Sequence, residues 1–291
     1  MRVRAYAKIN LSLRVMGIRP DGYHELRTTF QTIALHDTLT IRQRRGPFAL
    51  RCDDPACPSD STNLVWRAAE SLRSAASRGA ALSGLEISLA KRIPMKAGLG
   101  GGSSDAAAAL RALAALWRVK PPVVRSVARA LGADVPYFLE GGTALGLDRG
   151  DTLYALADLP PAWVTLVLPS FGVSTVEAFG WWDEAGPSAP AREGQNDLQA
   201  PVAARHPEIA RSVRALARAG AFHAAMSGSG SAVFGLFEHR PAAERAARRL
   251  EGPRQRTLVT RTMNRAAYQR LAGIVGHRIN LPFAPRSPGH S

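Results

Sequence analysis

Pro94-Met95-Lys96-Ala97-Gly98-Leu99-Gly100-Gly101-Gly102-Ser103-Ser104-Asp105 is the stretch on which the reading turns. Four of the five residues Gly98–Gly102 are glycine, and two serines follow. Upstream, Leu85, Ile87 and Leu89 alternate as a strand does. Downstream, Leu110, Leu113, Ala114 and Trp117 share one helical face. The glycine run therefore joins a strand to a helix start. Glycine permits positive φ and close approach to a bulky anion. The helix start adds unpaired N–H groups and partial positive charge. Together they predict a phosphate cradle, with the Ser103 and Ser104 hydroxyls available to phosphate oxygens or to Mg²⁺. The plainer alternative is a flexible loop with a serine cap. No Lys-Ser/Thr pair follows the glycines, so this is not a Walker A loop. No H-R-D or D-F-G triplet is present, which excludes the protein-kinase pattern.

Outward from the loop, strands and helices mix without steady β-α-β alternation, which predicts an α+β fold. Ile9–Val15 alternates as a strand, Arg19–Gly22 is a turn, and Leu39 with Ile41 fits another strand. Residues 47–60 read as a loop. A helix is expected from Ser61 and another over Val123–Leu131. Trp163–Leu168 is an apolar strand, 183–201 a loop, and Ile209–Ala217 a helical stripe. Ser227-Gly228-Ser229-Gly230-Ser231 precedes a strand at Ala232–Phe237. A helix near 243–250 and a strand at Leu258–Thr262 follow. The expected division is a lobe over 1–153, a second over 154–276, and a flexible tail over 277–291.

With 291 residues, 46% of them hydrophobic, the chain can bury an enzyme-sized core. No apolar run reaches the ~18 residues that would cross a bilayer, and the N-terminus does not read as a secretory signal. The only two cysteines, Cys52 and Cys57, suit a reducing cytoplasm. The net charge of +15 favours anionic partners. Its arginines are scattered rather than clustered with aromatics, which argues against nucleic acid. The seven histidines form no H-x-x-x-H pair, so no structural metal is expected.

Pro94–Ala107 resembles the phosphate motif of the GHMP kinases, the family of galactokinase, homoserine kinase and mevalonate kinase. Ala7-Lys8-Ile9-Asn10-Leu11 and Met226–Ser231 resemble that family's other two motifs, in the same order. The resemblance implies a two-lobed α+β fold, with an N-terminal ATP-binding lobe and a ferredoxin-like C-terminal lobe. Arg19–Leu26 (with Gly22-Tyr23-His24), Leu131–Phe138 and Asn196-Asp197-Leu198 are similar to the branch whose alcohol substrate carries a cytidine diphosphate. That implies ATP-dependent phosphorylation of the 2-hydroxyl of a methylerythritol unit, in the non-mevalonate isoprenoid pathway. Mg²⁺ is expected to arrive with ATP.

By the same resemblance, Asp134 matches the catalytic aspartate and Lys8 its partner lysine. An attacking alcohol must lose a proton, which a carboxylate can accept; a lysine can stabilise charge on the moving phosphoryl group. Asn10 matches a substrate-orienting position. Tyr23 and His24 match cytidine-recognition positions, and Phe179 is a candidate opposite stacking face. Asn63 and Leu64 match positions near adenine, and Lys91 a basic residue there. Pro94, Gly98, Leu99, Gly100, Gly101, Gly102, Ser103 and Ser104 form the ATP motif. Gly228 and Ser229 are expected to close the site from the second lobe. Read singly, Lys8 could be a solvated strand lysine, Asp134 a helix-start carboxylate, and Tyr23 or Phe179 core aromatics. The alternatives are another GHMP kinase, of the homoserine or mevalonate type, a kinase-like fold without activity, and a basic nucleic-acid binder. A homodimer is left open.

Overall fold

A computed structural model describes residues 1–76, 81–82, 84–186 and 195–273. It contains two sheets packed on one another, each with helices on its outer face. The first is built on a long antiparallel pair, β1 (Arg2–Ile18) and β2 (His24–Gln43). β3 (Ala49–Cys52), β4 (Leu85–Ala90), β5 (Thr143–Leu147) and β6 (Thr152–Ala155) complete it. β4 and β5 pair with different stretches of β2, and β3 runs parallel to β4. α1 (Leu64–Ala75), α2 (Gly101–Trp117), α3 (Pro121–Leu131) and the short α4 (Tyr137–Glu140) cover one face. The alanine-rich α2 is buried along most of its length. Small side chains let it lie close to the sheet and to α1.

The second sheet comprises β7 (Trp163–Pro169), β8 (His223–Met226), β9 (Val233–Phe237) and β10 (Gln255–Arg261). Its order is β10-β7-β9-β8, all antiparallel. α5 (Thr175–Ala185), α6 (Gln199–Arg205) and α7 (Pro207–Arg218) lie between β7 and β8; α8 (Arg240–Leu250) lies between β9 and β10. This β-α-β-β-α-β order is the ferredoxin-like arrangement. Alternation divides its side chains as period 2 requires. Val164, Leu166, Phe234 and Leu236 face the first sheet, while Val167, Val233 and Phe237 face the helices. α9 (Arg265–Ala272) crosses back, packing Tyr268 and Ala272 against Tyr6 of β1.

One irregularity in β1 matters for the site. A register shift falls between Tyr6 and Lys8. Before it, Val3 and Ala5 join the core under the helices; after it, Ala7 and Ile9 join the core between the sheets. The bulge thus turns Lys8 and Asn10 onto the face that carries α2 and α4, and bulges commonly re-aim side chains in this way.

Several sequence expectations need correction. Residues 47–60 are not all loop, since β3 lies within them. β1 and β2 extend well beyond the patterned stretches: over Ala5–Asn10 and Phe30–Ile33 both faces are buried and alternation is lost, and the strands run on from there into partly exposed ends. The 183–201 stretch contains the end of α5 and the start of α6. α1 begins at Leu64, three residues later than expected, because the Asn63 side chain accepts from Val65 N–H and caps it. The proposed tail over 277–291 lies outside the described residues.

Candidate active site

A cleft of about 1090 Å³ opens beside the glycine loop, walled by both halves of the chain. Its floor is made by Lys8, which is almost fully buried. Lys8 Nζ donates to Asn10 Oδ1 at 2.6 Å and lies 3.4 Å from Asp134 Oδ2. Asn10 Nδ2 donates to Thr28 Oγ1 at 2.7 Å, and Thr28 Oγ1 donates to the Ser12 carbonyl at 2.7 Å. This chain of bonds fixes the amide so that its oxygen faces the ammonium. The ammonium also sits 5.5 Å from the centre of the Phe30 ring. Asp134 comes from the turn before α4 and is a third exposed, so its carboxylate reaches the cleft.

The glycine run is half loop and half helix. Gly98 and Gly100 have φ of +70° and +71°, the left-handed region that favours glycine. A Cβ on Gly98 would lie 2.0 Å from the Ser227 carbonyl oxygen, and one on Gly100 2.6 Å from the Phe138 ring. Gly101 begins α2, and the N-cap Gly100 offers no side-chain hydrogen bond. The first-turn N–H groups are left available to an anion in the cleft. The loop is held by Lys8 N–H donating to the Leu99 carbonyl (3.0 Å), Ser227 Oγ to the Gly98 carbonyl (2.9 Å) and Ala232 N–H to the Ala97 carbonyl (3.2 Å).

Of the residues singled out from the sequence, Ser104 alone lies outside the cleft lining. Its hydroxyl is fully buried and donates to the Tyr6 carbonyl at 2.7 Å. The expectation that it reaches phosphate is corrected: it anchors α2 to β1, and Ser103 is the hydroxyl at the cleft. Asn63 lines the cleft while capping α1, and its Nδ2 donates to the Pro58 carbonyl at 2.7 Å. Lys91 lines it too, but its ammonium is gripped by Asp37 and, at 2.8 Å, by Asp105. Burial alone would lower this lysine, yet the carboxylates of Asp105 and Asp37 hold it above its usual value. It therefore presents no unpaired charge. Asp37 also accepts from the Arg92 and Ile93 backbone N–H groups and is fully satisfied. Asp105 Oδ1 has no partner among the described residues. Burial pushes the Asp105 carboxyl well above the carboxylate range, with Lys91 pulling the other way and Asp37 adding to the rise.

At the far end, Tyr23 is exposed beneath the Arg149 guanidinium, 5.1 Å from its ring centre. His24 stacks on Phe179 with centroids 4.4 Å apart and 27° between planes. Gly228 and Ser229 enter from the β8–β9 turn. Asn196 pins that turn, donating to the carbonyls of Met226 (2.9 Å) and Gly228 (2.7 Å). Thr28, Phe30, Arg149 and Asp183 also line the cleft and escape a reading of the sequence. Thr28 is one of several polar residues in a row, Phe30 reads as an ordinary core aromatic, and Arg149 and Asp183 have no motif around them.

A positively charged floor, a facing carboxylate and a glycine-rich helix start define a small-molecule phosphotransferase site. The GHMP kinase N-terminal domain matches residues 63–142 and the C-terminal domain residues 177–253. The chain belongs to the GHMP kinase family, and is an ATP-dependent phosphotransferase. It is 42% identical to 4-diphosphocytidyl-2-C-methyl-D-erythritol kinase of Pelotomaculum thermopropionicum, across 89% of this chain and 97% of the relative. The enzyme of that name from Moorella thermoacetica is 41% identical, across 89% and 98%. A crystal structure of 4-(cytidine 5'-diphospho)-2C-methyl-D-erythritol kinase aligns with a TM-score of 0.76 at 36% identity, covering 90% of this chain and 99% of that one. A mevalonate kinase structure aligns at 0.65 with 15% identity, covering 91% and 99%, which is a likeness of fold. Among the described residues, no helix is long and apolar enough to cross a membrane.

Proposed function

We propose that the chain transfers the γ-phosphoryl group of ATP to the 2-hydroxyl of 4-diphosphocytidyl-2-C-methyl-D-erythritol, in the non-mevalonate isoprenoid pathway. The observation that carries this reading is the Lys8–Asp134 approach of 3.4 Å beside the glycine loop. The nucleotide phosphates lie on Gly98–Ser103 and the first-turn N–H groups of α2, and the adenine lies toward Asn63 and Leu64. Lys91 acts at one remove, by holding Asp105 under the loop. The alcohol lies between Lys8 and Asp134. Asp134 takes its proton as the oxygen attacks phosphorus, and Lys8, held by Asn10, stabilises the charge on the transferring group. Tyr23, His24 and Phe179 take the cytidine end; Gly228 and Ser229 cover the reacting end.

Magnesium accompanies the nucleotide in this reading. Among the described residues no cluster of three His, Cys, Asp or Glu could hold it alone. In this proposal the ion is carried mainly by phosphates and water. The Ser103 hydroxyl is an oxygen at the cleft available to its waters. When bound, it would neutralise charge on the β and γ oxygens. The chain divides, in this proposal, into an N-terminal lobe over 1–153, with the phosphate loop and the catalytic residues, and a C-terminal lobe over 154–276, with α9 packed against β1 of the first.

ADP release with the cytidyl alcohol, homoserine and mevalonate tests the reading. Turnover is expected with the cytidyl alcohol. Turnover with homoserine or mevalonate and none with the cytidyl alcohol would overturn it.

A further inference from the structure

Asp183 of α5 reaches across the mouth of the cleft to the first residue of β2. Its Oδ1 lies 2.8 Å from His24 Nε2. A carboxylate offers only acceptors, so the ring must donate from Nε2. In the neutral imidazole that leaves Nδ1 as an acceptor. Nδ1 makes no hydrogen bond among the described residues. The ring is also held in its plane. Phe179 stacks on it at 4.4 Å, and Trp182 meets it edge-on at 5.7 Å and 88°. Only 14% of the His24 side chain is exposed. The neighbouring Arg149, over Tyr23, supplies donors alone.

We propose that Asp183 is a positioning residue for base specificity: it keeps the His24 proton on Nε2, so that Nδ1 accepts from the exocyclic amino group of a cytosine. The inference rests on the cytidyl substrate proposed above. Cytosine presents an N4 amino donor where uracil presents a carbonyl acceptor. A fixed acceptor therefore binds the first and repels the second, and unpaired polar groups of this kind discriminate strongly. An uncontrolled imidazole would serve either base by exchanging tautomers. The carboxylate on the opposite nitrogen removes that freedom. Because Asp183 belongs to α5 and His24 to β2, the selective geometry exists only when the two halves are docked.

Two measurements test this. In the ligand-free protein, nitrogen-15 imidazole spectra should show His24 with its proton on Nε2, and Asp183→Asn should shift it to a mixture. An unchanged tautomer in the variant would overturn the proposal. This reading needs no turnover, so its failure is separable from failure of the activity proposed above. The second is calorimetric binding of CDP and UDP, with the nucleotide site filled by an unreactive ATP analogue. Wild type should favour CDP, and Asp183→Asn should lower the CDP/UDP ratio by about tenfold or more, with ATP-analogue affinity unchanged. In a His24→Gln background, Asp183→Asn should have no further effect. Equal CDP and UDP binding in wild type, or an Asp183→Asn effect that persists without His24, would also overturn it.

Discussion

Residue identity at the site falls into two kinds, those that face the cleft and those that hold them. Asp134 is of the first kind, and its geometry leads to a direct expectation. Asp134→Asn keeps the shape and removes the proton acceptor, so turnover should fall by about 10²–10⁴ while ATP affinity stays near wild type. Single-turnover kinetics with an independent ATP titration checks both. Gly100 also lines the cleft, but it acts there through its backbone shape. Its φ of +71°, and the Phe138 ring 2.6 Å from where a Cβ would stand, leave no room for a side chain. Gly100→Ala should therefore cost more than about 1 kcal/mol in a denaturant melt and weaken ATP binding. Gly102→Ala, whose Cβ would meet nothing closer than Leu64 at 3.7 Å, should leave the melt unchanged. The motifs make the facing residues legible. The holding residues are not, because Asp37 reads as one polar residue in an alternating strand. Only the fold shows that it and Asp105 share the Lys91 ammonium.

Elements are legible where one face is buried and the other wet. α7, with Ile209 and Leu216 inward, and β4, with Leu85, Ile87 and Leu89 inward, stand out by period. β5, β6, β8, α4 and α9 escape because four to eight residues give too little periodicity to read. β8 nevertheless carries a contact with a measurable consequence. His223, at its start, makes a ring-nitrogen hydrogen bond of 3.0 Å to the Leu11 carbonyl of β1. Burial holds its pKa below the ordinary 6.5, with the carbonyl pulling the other way. A depressed histidine supports the fold above its unfolded pKa and ceases to as pH falls, since the unfolded chain takes up the proton more readily. Wild type should therefore lose stability between about pH 7.5 and pH 5.5, and His223→Gln should lose less over that range. Urea melts at the two pH values check it; equal slopes in the two proteins would remove His223 from the account.

The whole molecule places its chemistry where the two sheets meet, and this is the least legible scale. The sequence shows Lys8, Gly98 and Ser227 in separate motifs, and nothing local says they touch. They meet because Ala7, Ile9 and Ile33 of one sheet pack on Val164, Leu166 and Phe234 of the other. That contact brings the β8–β9 turn onto the glycine loop. Ser227 is the fastening between them: its hydroxyl donates to the Gly98 carbonyl at 2.9 Å and accepts from Asn10 N–H at 3.3 Å. The residue is fully buried, so water cannot replace either bond. Ser227→Ala leaves one carbonyl and one N–H unpaired, at a cost of about 1–3 kcal/mol each. The loss should be unevenly distributed. The apolar contact between the sheets is untouched, so the chain should still fold cooperatively, at a lower melting temperature. The glycine loop loses its register against Asn10 and Lys8, so turnover should fall by more than the stability loss would cause at a temperature where both proteins are folded. Hydrogen exchange should quicken at Gly98–Gly100 and Gly228–Gly230 and stay slow in α2 and β9. Uniformly faster exchange across both sheets would mean that Ser227 supports the interface as a whole, and the fastening role assigned to it would be wrong.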